Sequence, residues 1–354
     1  MEPEAFFSPD YAVARGRFLA AARAAKADLE SLPLAATGPG GEKLSIDVVR
    51  LGSPDATRVL LHTSGLHGVE GFAGSAVQLA ALESVPPVPT GSAIVLVHVL
   101  NPYGMAWLRR ANENNVDLNR NFLARGERWA GAPALYSRLD PLLNPPAPPG
   151  ADRFRWRLAA LALRHGPQAL KQAIAEGQYE FPRGLFFGGR MLEPGPQLYL
   201  DFLRRSLARA EYLFAIDLHT GLGPRAAETL ILEAGVGATP VDELARGLGR
   251  RLVDPAAGRA PYRIRGGMGG ALPAALPGAR IDFLLQEIGT LPARAVLAAL
   301  REENRCHHHD RHLAHPAKQA LLEAFRPSSP GWRQQAVEKG SRLLHAAAAW
   351  TFSR

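Results

Sequence analysis

The stretch Arg58-Val-Leu-Leu-His-Thr-Ser-Gly-Leu-His-Gly-Val-Glu-Gly71 runs from an apolar segment into a turn bounded by glycines. Arg58-Val-Leu-Leu-His62 reads as a buried strand, and the small and apolar residues of 70–83 read as a helix. Ala93-Ile-Val-Leu-Val-His-Val-Leu100 supplies a second buried strand. Strand, helix and strand in that order make a β-α-β unit, which points to a mainly parallel sheet. The turn itself holds His67 and Glu70 three residues apart. A catalytic zinc usually takes three protein ligands plus water, from imidazole nitrogens and carboxylate oxygens, and this pair can supply two of them. The same spacing also arises by chance in many chains.

Outward from this unit, residues 11–31 read as an amphipathic helix and Leu44-Ser-Ile-Asp-Val-Val49 alternates like a strand. Three more strand-like runs follow at Tyr212–Leu218, Thr229–Leu232 and Ile281–Leu285, and 292–325 and 333–349 read as helical. The proline-rich break Pro141–Gly150, followed by the helix-like 152–176, reads as part of an insertion around 124–200 in a single domain spanning 1–354. No internal repeat is visible.

A chain of 354 residues fits one large α/β domain or two smaller ones. With 47% hydrophobic and 21% charged residues it has the composition of a soluble globular protein. No apolar run approaches the ~20 residues needed to span a bilayer, so no membrane association is expected. Glu2 and Glu4 stand where a secretory signal would carry base, and Cys306 is the single cysteine, which excludes an intramolecular disulfide; a cytoplasmic location fits both. The net charge of +8 invites a nucleic-acid reading, but only five of the 41 basic residues are lysine, and the arginines are scattered. No nucleic-acid partner is expected. Some arginines suit an anionic substrate instead.

Three further motifs carry chemistry. Asn101-Pro-Tyr-Gly104 opens where the strand 93–100 ends, and the segment Arg109–Phe122 after it is dense in Asn and Arg, which are costly to bury without partners. Arg109 and Arg110 both present a planar fork of donors suited to a carboxylate or a developing oxyanion; a solvated polar loop is the plain alternative. Ala215-Ile-Asp-Leu-His-Thr-Gly221 places His219 at a strand end, where a histidine is commonly structural. Leu284-Leu-Gln-Glu-Ile-Gly-Thr290 ends another buried strand on Glu287, a carboxylate that must be hydrogen-bonded, paired or functional there. All four motifs fall at the carboxyl ends of predicted strands, the edge at which open α/β sheets bind ligands.

His-x-x-Glu, Asn-Pro-x-Gly, Arg-x-Asn-x-x-x-Val-Asp-Leu-Asn-Arg-Asn-Phe, a strand-end Asp-Leu-His and a late strand-end Glu follow one another in the order of the zinc carboxypeptidase superfamily. Over about residues 40–325 the chain resembles that superfamily, most of all an uncharacterised bacterial branch, and it is also similar to the aspartoacylase and succinylglutamate desuccinylase group. Val116–Phe122 carries the most specific part. The resemblance implies a mixed, mainly parallel twisted sheet flanked by helices, with the site at the carboxyl ends of its strands. It makes His67, Glu70 and His219 the ligands of one zinc ion. Arg110 takes the place of the arginine that polarises the scissile carbonyl, with Arg109 as its neighbouring candidate. Asn119 and Arg120 match a pair that grips a substrate carboxylate, Glu287 the general base, and Asp117 a carboxylate that orients the first histidine. The implied activity is zinc-dependent cleavage of an amide bond in a small substrate, either a peptide or an N-acyl amino acid.

The chain departs from that pattern in places. Peptide-cleaving members carry a mobile tyrosine upstream of the base, and Tyr262 is a poor match to it. Gly177–Gly189, with Arg183 and several aromatics, reads either as a lid or pocket wall or as a packed hairpin. The run Cys306-His-His-His-Asp-Arg-His312, with His315, offers ligands on several helix faces and reads as a solvated surface. A serine hydrolase built on Ser64 lacks a Gly-x-Ser-x-Gly elbow, and a non-catalytic binding protein would not be expected to keep the whole set. Oligomeric state and native metal are not legible.

Overall fold

The computed structural model describes residues 3–233, 236–254 and 263–354. Eight strands form one sheet: β1 Asp28–Thr37, β2 Lys43–Gly52, β3 Arg58–Ser64, β4 Ser92–His98, β5 Tyr212–Thr220, β6 Glu228–Leu232, β7 Leu252–Val253 and β8 Arg280–Ile288. Their order across the sheet is β1-β2-β4-β3-β5-β8-β6-β7. The four central strands, β4, β3, β5 and β8, run parallel; β1 and β2 are antiparallel on one side, and β6 is antiparallel to β8 on the other. The sheet is therefore mixed and parallel at its centre, as the sequence leads one to expect.

The helices are α1 Tyr11–Ala24, α2 Gly71–Glu83, α3 Pro102–Ala106, α4 Ala134–Leu143, α5 Phe154–His165, α6 Pro167–Ala175, α7 Pro194–Ser206, α8 Val241–Leu248, α9 Leu272–Ala275, α10 Ala293–His309, α11 Pro316–Phe325 and α12 Pro330–Phe352. They cover both faces of the sheet. Leu60, Ile94, Leu96, Phe214, Ile216 and Leu284 pack on one side with Ala73 and Val77 of α2 and Leu343 and Leu344 of α12. Their neighbours Val59, Leu61, Val95, Val97, Leu213 and Phe283 pack on the other with Tyr199 and Leu203 of α7 and Leu272 of α9. Apolar residues at both parities of a strand mean burial on both faces, which is why these runs read as continuous apolar stretches.

α2 lies close against the sheet because a Cβ on Gly74 would stand 2.3 Å from the Ser64 Cβ. Of the α4–α6 helices, Tyr136, Leu139, Leu143, Phe154, Leu170 and Ile174 form a cluster of their own, against Leu297 and Ala298 of α10. Among the described residues no helix is long and apolar enough to cross a membrane.

Two local expectations are corrected. The helix expected over 11–31 starts where Asp10 accepts a hydrogen bond from the Val13 N–H at 2.8 Å, but it stops at Ala24. Lys26 takes φ +54° after it, and Asp28 opens β1. The run 306–312 is a solvated surface only in its second half: His309, Asp310, Arg311 and His312 are exposed, but Cys306 and His307 are buried, as are Arg301, Glu303, Asn304 and Arg305 of the same helix. Burial and the positive charges of Arg109 and Lys318 push the His307 pKa far down.

Candidate metal centre and active site

The turn after β3 holds His67 and Glu70, and the segment after β4 holds the arginines. The two are laced together by backbone: the Gly68 N–H donates to the Arg110 carbonyl at 3.2 Å and the Val69 N–H to the Arg109 carbonyl at 2.8 Å. A Cβ on Gly68 would lie 2.1 Å from the Gly104 carbonyl carbon, so the x of His-x-x-Glu next to His67 has to be glycine for this contact to form. Asn101 Oδ1 accepts from the Gly104 N–H at 2.8 Å, and its Nδ2 donates to the Arg110 carbonyl. The Asn-Pro-Tyr-Gly turn is thus the clamp that fixes the arginine segment.

On β5, Asp217 and His219 alternate onto one face of the strand. His219 is the register partner of Glu287 on β8, which puts the two side chains side by side. The Nδ1 atoms of His67 and His219 face each other at 3.1 Å; Glu70 Oε1 lies 2.9 Å from the first and Oε2 3.1 Å from the second. Each Nε2 points away, to Asp117 Oδ1 at 3.0 Å and to Asp217 Oδ2 at 2.6 Å. Asp217 is held in turn by the Thr63 hydroxyl at 2.7 Å, and Glu70 Oε2 by the Thr220 N–H at 2.9 Å.

Four electron-rich atoms, two imidazole nitrogens and the two Glu70 oxygens, repel at this spacing unless a proton or a cation lies among them. The edge of a tetrahedron around zinc with nitrogen and oxygen ligands is about 3.3 Å, so the donor set fits that ion. His67, Glu70 and His219 form the one such group of three among the described residues. Carboxylates behind both rings are the usual support of metal-bound histidines.

The charges agree with a cation-seeking cluster. Burial opposes a charged His219, yet Asp217 and then Glu70 outweigh it and hold its pKa well above the usual range. Burial likewise opposes the Asp117 and Glu70 carboxylates; Arg110, Arg120 and His67 hold the first well below the usual range, and His67 and His219 the second. Glu287 goes the other way. Burial raises its pKa, His219 pulls it back and Glu70 pushes it up again. Its Oε2 is buried and has no hydrogen-bond partner.

The two candidate arginines separate. Arg110 donates from Nε to Asp117 Oδ2 at 3.0 Å and from Nη1 to Glu70 Oε1 at 2.9 Å, and its Nη2 lies 2.7 Å from His67 Nε2. Arg109 turns away, pairs with Glu303 of α10 at 2.9 Å and donates to Asn115 Oδ1 at 2.7 Å; Lys318 Nζ meets the same Glu303 oxygen at 2.6 Å.

Asn119 and Arg120 are buried. Asn119 Oδ1 accepts from the Met268 N–H at 3.2 Å. Arg120 gives Nε and Nη2 to the Ala175 carbonyl and Nη1 to the Asn119 carbonyl, three of its five donors. The rest of the Asn-rich segment is no solvated loop. Asn112 and Asn114 donate to Glu193 and Asn121 to the Gly188 and Met191 carbonyls. Tyr262 lies outside the described residues. Later in the chain, the Gly269 and Gly270 N–H groups donate to Glu233, whose burial pushes its pKa up to about 7.

Ser64 is fully buried and bonds Gln78 and the Val97 carbonyl, with no role open to it as a nucleophile at the cleft. In 177–189, Arg183 is exposed with its carbonyl bonded to Asn304, while the Phe186 ring lies 5.6 Å from the guanidinium carbons of both Arg110 and Arg120. The sequence reading did not single out Asp217, Thr220 or Phe186. Asp217 had a signal in its position two residues before His219 on a strand, and Phe186 fell within the 177–189 stretch read as a lid, pocket wall or packed hairpin; Thr220 had none.

The fold is the mixed α/β fold seen in metallocarboxypeptidase structures. Thrombin-activatable fibrinolysis inhibitor is similar to the chain with a TM-score of 0.50 at 12% identity, over 98% of this chain and 74% of that one. Carboxypeptidase A from Helicoverpa armigera matches at 0.47 and 15%, over 93% and 72%. Murein-tripeptide amidase MpaA from Escherichia coli O157 matches at 0.41 and 17%, over 78% and 91%. No curated protein matches. The chain belongs to the family described as "Protein of unknown function (DUF2817)", whose model matches residues 7–339.

Proposed function

We propose that the protein is a zinc-dependent hydrolase that cleaves an amide bond in a small carboxylate-bearing substrate, in the manner of a carboxypeptidase. The observation that supports this most is the convergence of His67, Glu70 and His219 beside Glu287, a half-buried carboxylate with one buried, unpartnered oxygen. The first three would hold a zinc ion, which would supply Lewis acidity and activate water for attack.

Within this reading Glu287 Oε2 takes the proton of the attacking water and delivers it to the leaving nitrogen. Arg110 stabilises the charge that develops on the carbonyl oxygen, and its side chain is 15% exposed, open enough to meet substrate. Asp117 and Asp217 hold the two imidazoles with their Nδ1 atoms inward. Asn119 and Arg120 bind the substrate carboxylate, Arg120 with the donors that the Ala175 and Asn119 carbonyls leave over.

The test is metal content of the purified protein, with hydrolysis of dipeptides and N-acetyl amino acids, with and without chelator. Stoichiometric zinc and chelator-sensitive hydrolysis are expected, and the better substrate class decides between peptide and N-acyl amino acid. Glu287→Gln is expected to keep its zinc and lose about 10²- to 10⁴-fold in kcat. Full activity in that variant removes Glu287 as the base.

A further inference from the structure

We infer that Phe186 is a positioning and specificity-determining residue of this site, a fixed aromatic wall that aligns Arg110 and Arg120 for one carboxylate-bearing substrate. The inference rests on the proposed roles of those two arginines. Phe186 has φ +56°, in the left-handed region that a bulky side chain rarely adopts. Such conformations persist where the surroundings over-determine them, and they cluster at ligand clamps.

The surroundings do so here. The Gly184 carbonyl accepts from Asn115 Nδ2, the Leu185 N–H donates to Asn144 Oδ1, and the Leu185 carbonyl accepts from the Tyr136 hydroxyl at 2.6 Å. The Phe186 carbonyl accepts from the Gln178 N–H at 3.1 Å and the Phe187 carbonyl from the Asp117 N–H at 2.7 Å. Leu185 and Phe187 are buried, and Phe186 between them is only partly so. The backbone is spent on presenting this one ring.

The ring meets both guanidinium groups at 5.6 Å, and Phe325 lies 5.9 Å from Arg110. An aromatic face within about 6 Å attracts a guanidinium and limits its water. Asp117 lies between the same two arginines, 3.0 Å from Arg110 Nε and 3.7 Å from Arg120 Nη1. One carboxylate and one ring therefore fix the relation between the proposed carbonyl-polarising arm and the proposed carboxylate grip. That relation sets which separation of carboxylate and scissile carbonyl the site accepts.

The experiment compares Phe186→Leu and Phe186→Tyr with wild type in the full-length, zinc-loaded protein. It reads kcat and KM on dipeptides and N-acetyl amino acids, and succinate affinity by titration calorimetry, with zinc content and thermal midpoint as controls. Leu keeps bulk and loses the π face; Tyr keeps both. Phe186→Leu is expected to lower kcat and raise KM together, to weaken succinate about tenfold, and to leave zinc and midpoint unchanged. Phe186→Tyr is expected to behave as wild type.

The inference is overturned if Leu matches wild type, if Leu binds succinate more tightly or turns over faster, or if Tyr falls as far as Leu. If wild type hydrolyses nothing in the panel, the hydrolase reading fails, and succinate decides the role of Phe186: weaker binding by Leu supports it, equal binding overturns it. Absence of succinate binding by wild type overturns it as well.

Discussion

Arg109 and Arg110 are neighbours in sequence and face opposite sides of their segment. Arg109 is 1% exposed and shares Glu303 with the buried Lys318. Removing one member of a buried ion cluster leaves charge uncompensated, at a cost of about 3–5 kcal/mol. That is a large share of the ~5–15 kcal/mol that holds a typical protein folded. Arg109→Ala should therefore lower the thermal midpoint sharply. Arg110→Ala should instead keep most of the midpoint and lose about 10²- to 10³-fold in kcat. Thermal unfolding and steady-state kinetics on the two variants separate the roles; the reverse pattern would exchange them. At this scale the resemblance pointed to Arg110, but the residue types alone left Arg109 as its neighbouring candidate. That choice depends on Glu303, almost two hundred residues away, which no local pattern announces.

Elements explain which parts were legible. β3, β4, β5 and β8 were readable because strands covered on both faces are apolar throughout. β1 was not. It is an edge strand with mostly exposed or partly exposed residues, Pro33 within it and an irregular register after that proline. The overrun of α1 has a similar cause: the left-handed residue that ends it is Lys26 rather than glycine, so no stop signal appears. The insertion reads as helical from 152, yet the contact of Phe186 with the arginines is a tertiary fact. The turn between β3 and α2 offers a test at this scale. Gly68→Ala drives a methyl group into the Gly104 backbone, and overpacking of this kind costs about 1–3 kcal/mol. Because the displaced turn carries His67 and Glu70, zinc affinity should fall with stability. Elemental analysis and thermal unfolding check both, and unaltered zinc binding would show that the contact is dispensable.

The whole molecule adds a response to acid. His62 on β3 and His98 on β4 are fully buried, and burial lowers the pKa of each to about 4. His98 stacks on Phe18 with centroids 4.4 Å apart and meets the Ser75 hydroxyl at 2.9 Å. Both rings stay neutral in the fold while the unfolded chain takes up protons below about 6.5. The unfolded state then binds more protons, so stability falls as pH drops from 6.5 towards 4. At pH 5 the loss is about 2 kcal/mol for each histidine. Urea midpoints at pH 7 and pH 5 measure it, and His98→Gln should show a smaller drop than wild type. An equal drop would assign acid sensitivity to other groups.

The strand order has a consequence for how the chain assembles. β6 and β7 precede β8 in sequence but reach the sheet only through it, because β8 lies between β5 and β6. Two strands must wait for a third that comes later, a long-range closure that is slow compared with local pairing. The same late strand brings Glu287 beside His219. A chain still short of β8 has the three proposed metal ligands but not the proposed base, so the act that completes the sheet is also the act that would arm it.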